Sequence, residues 1–125
     1  MFYSHLHHER SDGDLYYLLF RRVLQHQLLL MYRNDKLLRA VRDAPCMNCG
    51  GQDGTVVAAH SNQLRDGKGR SIKAHDYRIA ALCYRCHMEL DQGSKLSKEE
   101  RITLWEDAHR ATIGWLFDND ILKCV

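Results

Sequence analysis

The sequence has few residues that break regular structure, with one proline and eight glycines among 125 residues. This scarcity argues against a long disordered region, and a chain of this length suits one domain, or one small domain plus an extension. The apolar run at residues 15–20 is too short to span a bilayer and is followed by Arg21 and Arg22. The first ten residues lack the apolar run and small-residue cleavage site of a signal peptide. We therefore expect a cytoplasmic protein with no membrane partner.

Net charge is small and familiar catalytic motifs are missing from the sequence. The net charge is only +2 and the isoelectric point is near 8.3, so charge alone does not identify a partner. The chain has no glycine-rich phosphate loop, no Ser-His-Asp motif order, no repeat and no low-complexity stretch. The chemistry must therefore be sought in its cysteines and histidines.

Four of the five cysteines form two Cys-x-x-Cys pairs, Cys46 with Cys49 and Cys83 with Cys86. An odd number of cysteines fits a disulfide framework poorly, and this spacing favours metal binding in a reducing compartment. Two such pairs supply the four thiolates of a closed, structural zinc site. Four reduced core cysteines and an iron–sulfur cluster are the alternatives. We expect Cys124, near the C-terminus, to be an unliganded thiol.

The apolar pattern predicts helices around a short hairpin. We expect residues 1–12 to be a polar, mobile terminus, and Asp14 to about Arg33 to be helical because apolar residues recur at helical spacing. That helix is apolar on more than one face, which indicates burial against the domain or in a homodimer. The remaining predicted elements are a helix at Lys36–Arg42, strands at Thr55–His60 and Tyr77–Leu82, and helices over Cys86–Asp91 and from Ser97 to about Leu116. We accordingly divide the chain into a helical extension, 1–35, and a zinc-binding domain, 36–125.

Two histidines lie where the predicted elements meet. His60 ends the first strand, and His87 follows the last paired cysteine at the start of a helix. Asp91 comes four residues after His87, so the two side chains share a helix face. An imidazole and a carboxylate in this relation suit a divalent cation with open water positions.

A hairpin followed by a helix around a metal resembles the HNH, or ββα-metal, nucleases. The matching segments are Ala59-His60 and Leu82-Cys83-Tyr84-Arg85-Cys86-His87, with the Cys46-x-x-Cys49 pair beside them. Further segments resemble small prophage-type HNH nucleases, a family once described only as a domain of unknown function. These segments are Asp76-Tyr77-Arg78-Ile79-Ala80, Cys86-His87-Met88-Glu89-Leu90-Asp91, and Thr112 to Leu116. The resemblance covers roughly residues 36–125 and implies an α+β fold: a small zinc-stabilised ββα-metal core with flanking helices.

The resemblance also implies an activity. It implies metal-dependent hydrolysis of DNA phosphodiester bonds, in phage or prophage DNA processing or recombination. By residue match, His60 is the general base and His87 is a ligand of a catalytic Mg²⁺ or Mn²⁺ ion. Ala59 stands where many family members have an acidic ligand, so Asp91 is our first choice for a carboxylate and Asp76 our second.

Two further groups complete the expected site. Arg78 replaces an asparagine of the family pattern, which leaves Asn62 or His75 to orient His60. Positively charged residues of the loop between the two predicted strands, and one within the second Cys-x-x-Cys pair, are candidates for phosphate contacts. A solvated surface is the alternative for such residues. The candidate DNA-binding residues are Arg65, Lys68, Arg70, Lys73 and Arg85.

A zinc-ribbon-like module that binds nucleic acid or protein without catalysis is the alternative function. It shares the four-thiolate site with the nuclease. It has no need for the combination of His60, His87 and Asp91, which is the feature that separates the two hypotheses.

Overall fold

The structure, a computed structural model, describes residues 15–21 and 31–125. The chain divides into two units, residues 1–31 and 32–125. In the first unit, residues 15–21 are helical, as predicted. The predicted mobile terminus and the part of the predicted helix at residues 22–30 lie outside the described residues. Residues 31–34 are not helical, so the predicted end of that helix near Arg33 is too late.

The second unit contains three α-helices, two strands and two short 3₁₀ turns. Asn34 caps the first helix, because its side-chain oxygen accepts a hydrogen bond from the Leu37 amide at 3.0 Å. The 3₁₀ turns span Val41–Asp43 and Leu64–Asp66. The other elements, in chain order, are α1 (Asp35–Ala40), β1 (Val57–His60), β2 (Ile79–Leu82), α2 (Tyr84–Asp91) and α3 (Lys98–Asp118). Each overlaps its predicted counterpart, and only the ends differ.

Strands β1 and β2 form an antiparallel two-stranded sheet. Val57 pairs with Leu82 at one end, and His60 pairs with Ile79 at the other. Alanines occupy the middle of both strands, which lets a helix approach the sheet closely. All four residues of β2 are buried, so this strand lies at the centre of the domain.

Helix α3 covers the sheet and packs mainly on β2. It begins at a capping residue, Ser97, whose side-chain oxygen accepts a hydrogen bond from the Glu100 amide at 3.1 Å. Trp105, Ala108 and Leu116 form its buried side, together with Thr112. The Thr112 hydroxyl accepts a hydrogen bond from the Ala81 amide at 2.8 Å and donates one to the Ala108 carbonyl at 2.7 Å.

The architecture is therefore a small α+β fold, a two-stranded sheet with helices around it. Within residues 15–21 and 31–125, no helix combines the length and apolar character needed to cross a membrane.

Replacing Thr112 with valine tests how α3 is fixed to the sheet. Valine keeps the shape but leaves the buried Ala81 amide without an acceptor, which costs about 1–3 kcal/mol. We expect Thr112→Val to lower the free energy of unfolding by that amount in urea titrations. Thr103→Val, at an exposed position of the same helix, is the matched control. Equal stability of the two variants would contradict this role of the hydroxyl.

Candidate metal centre and active site

The four paired cysteines converge at the junction of β2 and α2. Cys46 and Cys49 lie on a tight turn, in which the Cys46 amide donates to the Gly51 carbonyl and the Gly50 amide to the Cys46 carbonyl. Gly50 has a φ of 76°, a left-handed conformation that glycine adopts without a steric cost. Cys83 is the N-cap of α2, and Cys86 lies in its first turn. The Met47 amide donates to the Ala81 carbonyl at 2.8 Å, which joins the first turn to β2.

The sulfur positions fit a tetrahedral metal ion. All four Sγ atoms lie within 4.8 Å of one another. With Zn–S bonds of about 2.3 Å, tetrahedral geometry places the sulfurs about 3.8 Å apart. The Cys49 and Cys83 sulfurs are separated by 3.8 Å. The donor set and its spacing therefore suit structural zinc, and all four ligand positions are supplied by the protein.

The surroundings of the sulfurs shift the pKa values of two of the cysteine thiols in opposite directions. Burial opposes ionisation of Cys46, but the backbone amides of residues 48, 49 and 83 outweigh it and lower the pKa of the Cys46 thiol to about 6. Burial raises the pKa of the Cys86 thiol to about 12, although the Asn48 side-chain amide donates to its sulfur at 3.3 Å. A hydrogen bond to Cys49, together with the negative charge of Cys49, Cys86 and Cys83, raises the pKa of Arg85. Arg85, predicted to contact nucleic acid, thus lies against the cysteines and offsets their negative charge.

His60, the expected general base, contacts a buried carboxylate. Its Nε2 atom lies 2.8 Å from Oδ1 of Asp76, and its side chain is 16% exposed. When Nε2 carries the proton and donates it to Asp76, Nδ1 is left as the basic nitrogen. Asp76 therefore fixes both the orientation and the tautomer of His60.

Asp76 also contacts two residues that precede helix α1. The Asn34 amide donates to its Oδ2 atom at 2.6 Å, and the Arg33 guanidinium lies 3.3 Å from Oδ1. Burial would raise the pKa of Asp76, but hydrogen bonds from His60 and Asn34, together with nearby positive charge, hold this pKa below its usual value. The same Arg33 side chain donates to the carbonyls of Lys73 and Ala74, so it fixes the end of the loop that carries Asp76.

The second expected pair, His87 and Asp91, is present on α2. Nε2 of His87 lies 3.0 Å from Oδ2 of Asp91, and both side chains are about one-third exposed. Two cis ligands at about 2.1 Å from an octahedral cation are separated by about 3.0 Å, so this spacing fits joint coordination. The Asn62 side-chain amide donates to Oδ1 of Asp91 at 3.0 Å. The residues that follow β1 are thereby joined to the end of α2.

The structure distributes the predicted active-site residues over two pairs. Among residues 15–21 and 31–125, the four cysteines form the only group of three or more His, Cys, Asp or Glu residues that is placed to hold one metal ion. Asp76, our second choice for a cation ligand, contacts His60 and does not join His87 and Asp91 in such a group. Asn62 binds Asp91, whereas Nδ1 of His75 accepts from the Tyr32 amide at 3.1 Å. We expected Asn62 or His75 to orient His60, but the residue that contacts the His60 ring is Asp76.

The loop cations differ in what they contact. Arg65 lies 2.5 Å from a carboxylate oxygen of Glu106, which also accepts from Gln63. Lys68 is half-buried, whereas Arg70 and Lys73 are exposed. No salt bridge involves these last three residues within the part of the chain that the structure describes.

Helix α3 contributes two side chains that the sequence did not connect with the site. The Trp105 indole donates to the Ala59 carbonyl at 3.0 Å, and Nδ1 of His109 donates to the Ile79 carbonyl at 2.7 Å. Their rings are stacked, with centroids 4.8 Å apart. They fix the backbone on both strands next to the His60–Ile79 pair. No sequence signal identifies the hydrogen-bond partner of either side chain.

Comparison with known proteins identified no relative of this chain. No protein-family model, curated protein or solved structure significantly matches this chain. The function must therefore be argued from the residues and their geometry.

Metal analysis of single cysteine variants tests the four-thiolate centre. We expect the purified protein to hold one zinc ion per chain, and Cys83→Ser to lose it because an alcohol is a poor replacement for a thiolate ligand. Cys124→Ser is the control, because Cys124 is exposed and outside the cluster. Elemental analysis measures the zinc. Equal zinc in the two variants would contradict the assigned ligands.

The pH dependence of stability tests the contacts of Asp76. Because the pKa of Asp76 is lowered in the folded protein, its carboxylate stabilises the fold above the unfolded value near 3.9, and this contribution is lost as pH falls through the folded pKa. We expect Asp76→Asn to lower the free energy of unfolding by about 1–3 kcal/mol near pH 5.5, and the deficit to shrink in acid. Urea titrations over this range measure it.

Asp107→Asn, on the exposed side of α3, is the matched control for this titration. A deficit for Asp76→Asn that stays constant from pH 5.5 to acid would contradict a stabilising, ionised Asp76.

Proposed function

We propose that residues 32–125 form an HNH-type endonuclease that hydrolyses DNA phosphodiester bonds with a histidine base and a divalent cation. The observation that carries the proposal is the pairing of each candidate histidine with a carboxylate, His60 with Asp76 and His87 with Asp91. The Asn62–Asp91 hydrogen bond brings the end of β1 to the end of α2. A structural zinc site alone needs neither pair.

His60 supplies the base in this proposal. With Nε2 bonded to Asp76, its Nδ1 atom takes a proton from the attacking water. The charge of Asp76 then stabilises the imidazolium that forms, so Asp76 acts as a positioning residue. Ionised Asp76 suits this task because its carboxylate is buried and its pKa is lowered.

His87 and Asp91 are the residues that would hold Mg²⁺ or Mn²⁺. Such an ion supplies Lewis-acid stabilisation of charge on the phosphate and on the departing 3′ oxygen. Two protein ligands are enough for Mg²⁺, which keeps several waters and binds substrate phosphates. Asn62 orients Asp91 through its amide group. Arg70 and Lys73 are exposed on the adjoining loop and are proposed to contact DNA phosphates.

The zinc centre has a supporting role. It joins the start of α2 to the turn at residues 46–51, and α2 carries His87 and Asp91. Four reduced thiolates fit a reducing compartment such as the cytoplasm, where we propose that the protein acts.

A non-catalytic zinc-binding module is the second candidate. One observation favours it: within the described residues, no third His, Cys, Asp or Glu joins His87 and Asp91 as a cation ligand. This module would retain DNA or protein and generate no new DNA ends.

A plasmid-nicking assay with Mg²⁺ or Mn²⁺ separates the two functions. We expect wild-type protein to cut, and His60→Ala to cut about 10²- to 10⁴-fold more slowly because the general base is lost. Zinc content should be unchanged, and circular dichroism should show the variant folded at the assay temperature, although it loses the hydrogen bond to Asp76; these two readouts are the control for folding. Cutting by His60→Ala at the wild-type rate would remove His60 from the mechanism, and no cutting by wild type with any divalent metal would favour the binding module.

A further inference from the structure

A groove lies next to the His87–Asp91 pair. It is bounded by residues 62–65, the end of α2, Leu96, and the first two turns of α3, and we call it the α2–α3 groove. Its volume of about 730 Å³ is within the range of about 300–1,000 Å³ that small-molecule sites occupy. Neither the zinc centre nor the His60–Asp76 pair lines it.

The groove combines apolar and polar groups. Leu90, Leu96, Ile102 and Trp105 line it, and the side chain of Leu64 projects at its margin with 82% exposure. The Trp105 indole is fixed by its hydrogen bond to the Ala59 carbonyl, so this part of the wall is rigid. Such a surface suits the flat face of an aromatic ligand better than it suits a phosphate backbone.

Positive charge surrounds this apolar lining. Arg65, Lys98 and Arg101 line the groove, against one carboxylate, that of Asp91. Arg65 is paired with Glu106, and Arg101 donates to the Gly93 carbonyl. Lys98 is exposed at the first residue of α3 and makes no salt bridge with the described residues. A ligand with an aromatic ring and an anionic group would satisfy both parts of the groove.

The groove is continuous with the proposed active site. Asn62 and Asp91 line it, and the same two side chains form the hydrogen bond that orients the proposed cation ligand. A strand with one phosphate at His87 and Asp91 therefore has its neighbouring nucleotide at the mouth of the groove.

We propose that the α2–α3 groove binds an unpaired nucleotide of DNA beside the phosphate that is cut. This inference rests on the proposed nuclease function and names its substrate class, DNA with unstacked or single-stranded nucleotides. In a fully paired duplex the base faces are covered by stacking, so an apolar groove gains nothing from them. An unpaired base exposes its face, and burial of that face against apolar side chains stabilises the complex. Lys98 contacts the attached phosphate.

Binding measurements with a protein that does not cut test the groove separately from catalysis. The probes are a fluorescent DNA strand, its fully paired duplex, and the same duplex with a central unpaired bulge. Anisotropy titrations use zinc-loaded, full-length His60→Ala protein in Mg²⁺. We expect the single strand and the bulged duplex to bind about tenfold more tightly than the paired duplex.

Two pairs of substitutions in the same background locate the binding. Leu64→Ala with Lys98→Ala removes an exposed apolar side chain and a cation from the groove. This double variant should bind single-stranded, bulged and fully paired DNA with equal affinity. Phe117→Ala with Lys36→Ala is the matched control, because both residues are exposed and lie outside the groove. The control should bind like its parent, with the same melting temperature.

Several results would overturn the proposal. They are equal binding of paired and unpaired DNA, an unchanged preference in the groove variant, or tighter binding of an RNA strand of the same sequence. A change from dimer to monomer in the groove variant, seen by light scattering, would assign the groove to a second copy of the chain. If plasmid is cut while the preference is absent, the groove proposal fails alone. If the preference is present while wild type never cuts, the nuclease proposal fails alone.

Discussion

The structure of residues 32–125 depends on the convergence of four sulfur atoms. The cysteines come from two short segments separated by more than thirty residues, and their Sγ atoms lie within 4.8 Å of one another. A metal ion bound at this point would fix the turn at residues 46–51 against the start of α2. The free energy of metal binding would then contribute directly to folding, which matters in a domain whose sheet has only two strands. Because β2 enters α2 through Cys83, the same constraint sets the direction in which α2 leaves the sheet.

That direction determines which side chains meet. Helix α2 ends at Asp91, where Asn62 connects it to the chain that leaves β1. The loop before β2 brings Asp76 into contact with His60, and Arg33 and Asn34 hold Asp76 in place. Helix α3 fixes the backbone of both strands next to His60 through Trp105 and His109. His60 and Asp91 are thus each supported by a contact from a distant part of the sequence.

Local sequence patterns predicted the helices and strands, but they did not predict the contacts between residues that are distant in the sequence. Each Cys-x-x-Cys pair is a local pattern, and the presence of two such pairs predicted the metal centre although they lie far apart in the sequence. The interval between His87 and Asp91 predicted their shared helix face, because it depends on only one turn of helix. The partner of His60 was not predicted. Asp76 lies sixteen residues away, across a loop whose path is fixed by Arg33 through backbone carbonyls that carry no sequence signature. For the same reason the α2–α3 groove, built from three separate segments, left no pattern in the sequence.

We propose that a second, catalytic cation binds at His87 and Asp91, apart from the zinc site formed by the four thiolates. Anomalous diffraction from crystals of the zinc-loaded protein soaked in Mn²⁺ tests this proposal. We expect a manganese peak between the His87 imidazole and the Asp91 carboxylate, and a separate zinc peak among the four sulfurs. A zinc peak at the cysteines with no manganese between His87 and Asp91 would contradict it.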